Sequence, residues 1–210
     1  MKRHIIFALI AIIAGGCSTM HGVRSDYALN KNSGKGLLIA SLTYHGSYSG
    51  YRMYYRKQSS KKRKHLLIGS GISLIPPGLM EWDISKPGLR GNVLSVELPS
   101  GEYEFYSWAV SSGYANIGPS EAFSLKFTIK PGEANYVGNF QFDRISGMGA
   151  MVTGVDVSYN DETDRDLKVI KEKHSLLNIE RITRSVKPST SVHMLGDGNN
   201  TSITTPVFIP

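Results

Sequence analysis

Phe123-Ser124-Leu125-Lys126-Phe127-Thr128-Ile129-Lys130-Pro131-Gly132-Glu133 is the stretch whose reading decides the fold. Phe123, Leu125, Phe127 and Ile129 alternate with Ser124, Lys126, Thr128 and Lys130, and this period of two describes a strand with one buried and one wet face. Pro131-Gly132 supplies a turn, and the chain returns through Tyr136, Gly138, Phe140 and Phe142 at the same spacing. The pair predicts a hairpin.

The same pattern precedes it. Leu94, Val96 and Leu98 alternate, Pro99-Ser100-Gly101 turns the chain, and Tyr103 and Phe105 begin a return, which predicts a second hairpin. Further strands are predicted at residues 37–44, 51–56, 65–70 and 150–159, the last with Val155, Val157 and Tyr159 on one face. About seven or eight strands, each with a face to cover, predict an antiparallel β-sandwich over residues 36–159. Pro76, Pro77 and Pro87 make residues 71–91 read as an irregular connection.

A single helix is predicted within 160–182. Asn160 or Asp161 caps it, Asp161, Glu162 and Asp164 place negative charge at the positive end of its dipole, and Leu167, Ile170, His174 and Leu177 form the packing stripe. Residues 183–210 are rich in Ser, Thr, Asn, Gly and Pro and read as a mobile polar tail. Residues 17–35 read as a flexible tether.

The chain has 210 residues, 40% hydrophobic and 20% charged, the composition of a globular protein with one principal domain. One cysteine permits no internal disulfide, so stability rests on the core. The start has the plan of an export signal: Lys2 and Arg3, an apolar run over 5–13, then the small residues Ala14, Gly15 and Gly16. The run is too short to span a bilayer, which takes about 20 apolar residues. The formal charge of +7 falls to +5 once residues 1–16, with Lys2 and Arg3, are removed, so the remainder stays basic and suited to an anionic partner.

Ile13-Ala14-Gly15-Gly16-Cys17 resembles a bacterial lipobox. The resemblance implies diacylglycerol on the Cys17 thiol and cleavage before it. Ser18 in the next position implies, in such lipoproteins, sorting to the outer membrane, with the body facing the periplasm. Ala14 stands where Leu is commonest in the motif. Leu98-Pro99-Ser100-Gly101-Glu102-Tyr103, Phe127-Thr128-Ile129-Lys130-Pro131-Gly132-Glu133 and Tyr136-Val137-Gly138-Asn139 are similar to segments of envelope lipoproteins with a prealbumin-like or carboxypeptidase-regulatory-like β-sandwich. That likeness covers about residues 36–158 and bears on fold, not on activity.

No catalytic motif is legible. Gly-x-Ser-x-Gly is absent, Cys17 is used by the anchor, and His45, His65, His174 and His193 have no metal-ligand spacing, so neither metal nor cofactor is expected. Glu102 and Glu104 share a strand face, which reads as a solvated face.

Two candidate surfaces stand out. Arg56, Lys57, Lys61, Lys62, Arg63 and Lys64 form a basic loop between two predicted strands, suited to phosphates of anionic lipid or lipopolysaccharide. Tyr103, Tyr106, Trp108 and Tyr114 are aromatics suited to a sugar or peptide, although strand alternation turns some of them inward. The function expected is therefore a lipid-anchored, non-enzymatic binding or structural module of the envelope. Its partners are the membrane and an envelope protein, anionic lipid or lipopolysaccharide, and nucleic acid is disfavoured by the compartment. The alternatives are an envelope hydrolase with a site assembled from distant residues, and a glycan or small-ligand binder.

Overall fold

The structure is a computed structural model and describes residues 22–70, 80–186, 193–198 and 200–203. The chain is mainly β, with strands β1 (Lys35–His45), β2 (Gly50–Lys57), β3 (Lys64–Ile68), β4 (Ile84–Lys86), β5 (Leu89–Pro99), β6 (Gly101–Ser112), β7 (Ala115–Gly118), β8 (Leu125–Ile129), β9 (Ala134–Met148) and β10 (Met151–Asn160). Helix α1 (Thr163–Lys173) follows, and then β11 (Thr183–Arg184), β12 (His193–Gly198) and β13 (Asn200–Ile203). The strands form two sheets. One has the order β12-β10-β9-β1-β5-β4 with β11 beside β9; the other has the order β13-β7-β6-β2-β3 with β8 beside β6.

Both predicted hairpins are arches between sheets. β5 lies in the first sheet and β6 in the second, with only Ser100 between them; β8 belongs to the second sheet and β9 to the first. Alternation states that each strand has one buried face, and that holds equally for partners side by side and for partners facing each other across a core. The turns bend accordingly. Gly101 (φ 143°) and Gly132 (φ 68°) take conformations that L side chains rarely adopt, and a Cβ on Gly132 would lie 2.7 Å from Lys31 Cα.

The first sheet is mixed rather than antiparallel, because β1 pairs with β9 in parallel while pairing with β5 antiparallel. A bulge in β9 between Tyr136 and Asn139 also splits the period-two set seen in the sequence. Phe140 and Phe142 enter the sandwich, where Phe140 packs 4.7 Å from Phe105 and Phe142 5.2 Å from Tyr51, centroid to centroid. Tyr136 points to the outer face, under α1.

α1 covers that outer face, and its cover is why nearly all of β1 is buried. Asp161 accepts from the Thr163 backbone N–H at 2.9 Å, and Leu167, Ile170, His174 and Leu177 are buried as the stripe requires. A fully buried carboxylate pins the helix: Asp166 accepts from Ser41 Oγ, Tyr136 Oη (2.7 Å) and Arg165 Nε (2.8 Å). The helix is shorter than the 160–182 span, ending at Lys173.

Three segments differ from the sequence reading. In the 71–91 connection, read as irregular, Ile84–Lys86 forms β4 and pairs with the start of β5 at residues 89–91. From Gly22 onward, the part of the 17–35 segment that is described lies against the body: Val23 N–H donates to Ser95 O at 2.8 Å, and Tyr27 Oη donates to Glu97 at 3.1 Å. The 183–210 segment, read as a tail, supplies β11, β12 and β13, with β12 on the edge of the first sheet and β13 on the edge of the second. Its glycines suggested looseness. At Gly198, however, a Cβ would lie 2.4 Å from the Trp108 ring, so a glycine there permits close packing.

Candidate functional site

The basic loop is built at one end of the sandwich, where β2 ends and β3 begins. Gln58 N–H donates to Glu102 O, extending the β2 ladder by one residue, and Ser60 N–H donates to Lys57 O at 2.9 Å, closing a turn. Lys62 N–H donates to Ser60 Oγ. The turn leaves Lys61, Lys62, Arg63 and Lys64 in succession with exposed side chains, and none has a carboxylate within ion-pair distance among the described residues.

Arg56 and Lys57, grouped with these by sequence, are structural. Arg56 Nε pairs with Glu104 at 2.7 Å while its guanidinium sits 4.5 Å from the Tyr106 ring centroid. Lys57 Nζ donates to Ser100 O at 2.6 Å, tying β2 to the β5–β6 arch. An open hollow of about 680 Å³ lies beside the loop, lined by Arg56, Ser59, Ser60, Lys61, Arg63 and Lys126 among others. Glu104 is the carboxylate on its wall, held below the usual carboxylate range by hydrogen bonds from Ser124 and Arg56. Four cations therefore face one carboxylate that stays ionised. The hydroxyls of Ser59 and Ser60 add donors, a combination suited to phosphate oxygens.

Lys126 escaped the sequence reading because it depends on the arch. Once β8 pairs with β6, Lys126 stands on one side of Glu104 and Arg56 on the other; in a β8–β9 hairpin it would have been elsewhere. Glu102 and Glu104 do share a face, where Thr128 donates to Glu102 and Ser124 to Glu104.

The aromatic candidates do not form a surface. Tyr103 and Trp108 are core residues, 3% and 1% exposed, their polar atoms donating to Pro99 O and Leu195 O. A bulge explains this: Tyr54 pairs with Ser107 and Tyr55 with Phe105, so Tyr106 is extra and the inward set runs Tyr103, Phe105, Trp108, Val110. Tyr106 faces outward beneath Arg56, and Tyr114 stands on the β6–β7 turn at the opposite end, 57% exposed. Met148, 71% exposed, and Ile145, 50% exposed, stand on the β9–β10 hairpin at that end, and Met151 approaches Gly113 across the two turns.

One pairing was not legible in the sequence. Ser95 Oγ and His174 Nε2 lie 2.8 Å apart, and the other ring nitrogen, Nδ1, faces Arg24 O at 3.1 Å. Both side chains are buried, Ser95 beneath Gly22, and burial pushes the His174 pKa down, which favours the neutral ring that donates to Arg24 O and accepts from Ser95. Asp83, nearby, is engaged by Val93 N–H and Lys173 Nζ, both at 2.8 Å. These groups bind the N-terminal segment to β5. Among the described residues no group of three or more His, Cys, Asp and Glu is arranged to hold a metal. Cys17 lies outside the described residues.

No family model, curated protein or solved structure matches the chain, so its surfaces are read from their chemistry.

Proposed function

We propose that this protein is a lipid-anchored envelope lipoprotein, attached through Cys17 to the outer membrane on its periplasmic side, that acts without catalysis as a binding or structural module. Its basic end engages phosphate-bearing lipid, whether anionic phospholipid or lipopolysaccharide. The observation that carries the reading is Lys61-Lys62-Arg63-Lys64, four exposed cations with no carboxylate partner among the described residues, beside a hollow that Lys126 and Arg56 make more positive. The lipobox resemblance at Cys17 supports the address.

Two measurements test it. A Cys17→Ser chain loses radiolabelled fatty acid and leaves the membrane fraction; unchanged labelling and fractionation overturn the anchor. In that unlipidated chain, replacing Lys61, Lys62, Arg63 and Lys64 by Ser abolishes low-salt binding to vesicles containing anionic lipid or lipopolysaccharide. Unchanged binding overturns the role of the loop.

A further inference from the structure

The segment from Gly22 to Leu29 is a strap bound along the edge of the first sheet. Val23 N–H donates to Ser95 O, Arg24 O accepts from His174, whose Nε2 is in turn held by Ser95 Oγ, and Tyr27 Oη donates to Glu97. Val23, Tyr27 and Leu29 pack against the core. Val23 occupies a backbone acceptor on β5 at the edge that β4 leaves uncovered, since β4 pairs only with residues 89–91. The chain is thus fixed to the body from Val23, not from β1.

That contact shortens any leash from Cys17. Six residue steps separate Cys17 from Val23, and a chain extends at most about 3.6 Å per residue, so the leash cannot exceed about 20 Å.

The two ends of the sandwich lie at unequal distances from the strap's anchor. From Ser95 to Pro99, at the end carrying the basic loop, is four strand residues, about 13 Å at about 3.3 Å per residue. β3, which the loop feeds, packs against β5 from the opposite sheet, so strap and loop share one side of the sandwich. In the other direction Ser95 lies opposite Ile39, His45 is six residues further, and β9 runs five residues past Asp143 to Met148. Allowing for twist, those eleven steps span about 30 Å. With the Met148 end against a bilayer, Val23 would stand farther from it than the leash extends. The basic end is well within reach.

We infer that the strap is a short mount that holds the sandwich with Lys61–Lys64 toward the bilayer and the Tyr114–Met148 end away from it. The inference rests on the proposed lipid attachment at Cys17. Chain length excludes one orientation, and charge favours the contact that remains.

The test uses the full lipidated chain in vesicles of phosphatidylcholine alone, where charge gives no pull. Lys62→Cys and Met148→Cys are each labelled with a fluorophore and quenched by a nitroxide on the lipid headgroup. Quenching at position 62 is expected to exceed that at 148 severalfold. A spacer of about twenty Gly and Ser residues inserted after Met20 adds about 25 Å of mean reach. It leaves the folded body untouched and should abolish the difference in neutral vesicles, while anionic lipid restores it. Equal quenching at native length, stronger quenching at 148, or a difference that survives the spacer in neutral lipid overturns the mount. Failure of the parent reading is distinct: mass spectrometry then finds no acyl chains on Cys17 and the protein does not bind neutral vesicles.

Discussion

The two ends of the sandwich are built on opposite plans. At the basic end the arches are tightly held: a Cβ on Gly101 would lie 2.4 Å from Lys57 Cε, Gly132 has Lys31 backbone against it, and Lys57 is tied to Ser100. The exposed cations rise from a braced platform. At the other end the β9–β10 turn is held from one side, by Arg144, which donates to Gly149 O at 2.9 Å and to Ser47 Oγ at 2.6 Å; nothing lies within 4 Å of a Cβ on Gly149, and the exposed large apolar side chains there are Tyr114, Ile145 and Met148. The contrast teaches that exposed cations and exposed apolar side chains are segregated to opposite ends, the cations beside close-packed glycine arches and the apolar groups beside a turn whose Gly149 has open space around it.

The comparison breaks most decisively if charge at the braced end does not matter. Near an anionic surface each cation is worth about 1 kcal/mol, so the fourfold Lys61, Lys62, Arg63, Lys64→Ser variant should weaken vesicle binding by about three orders of magnitude at low salt. Circular dichroism and melting should be unchanged, because these side chains are exposed. The next largest effect concerns bracing. Gly132→Ala meets Lys31 backbone and carries a left-handed φ, and should cost about 3 kcal/mol, lowering Tm by about 6–12 °C in a calorimetric scan. Gly149→Ala meets nothing and carries only the conformational cost, about 1 kcal/mol and a fall in Tm of about 2–4 °C. Equal losses at the two glycines would remove the distinction between the ends.

A pH series sharpens the comparison by addressing the side between the two ends. Burial lowers the folded-state pKa of His174 below its ordinary value of 6.5, with Lys173 lowering it further and Arg24 O and Asp83 opposing. Between that depressed value and about 6.5 the unfolded chain binds more protons, so stability is full above about 6.5 and declines as pH falls toward the folded pKa. His65, also lowered by burial, acts in the same direction. Thermal melts from pH 7.5 to 5 should show the decline, and His174→Gln should flatten it. The smallest expected effect is Met148→Ser, which should change stability by no more than about 0.5 kcal/mol and leave lipid binding unaltered.

Much of the fold was legible because periodicity reports burial. The sandwich class, the long strands β1, β2, β5, β6, β9 and β10, the shorter β3 and β8, and the stripe Leu167, Ile170, His174, Leu177 follow from it; β4, β7, β11, β12 and β13 are too short or too polar to show a period. What periodicity does not report is which strand lies beside which. Hence the Leu98–Tyr103 and Ile129–Tyr136 connections read as hairpins when they are arches, and Lys126 was missed at the basic end. A bulge is likewise silent in sequence, so Trp108 read as a surface candidate although its ring is in the core. The loop Lys61–Lys64 was legible because consecutive like charges do not pack inside a protein. The Ser95–His174 contact joins residues 79 positions apart and carries no local signal.

The arches also bear on how the chain reaches this state. β1 finds one neighbour in β5 and the other in β9, whose residues lie almost a hundred positions downstream, as in Leu37 opposite Ala134. Neither sheet can be completed from a continuous stretch of chain, since β5 and β6 diverge at Ser100 and β8 and β9 diverge after Ile129. Pairings of such sequence separation pay loop-closure entropy before any contact rewards it, so folding should be a slow, single cooperative event without an early half-sandwich. β12 and β13, which need the edges of β10 and β7 already in place, would then be the last strands to dock.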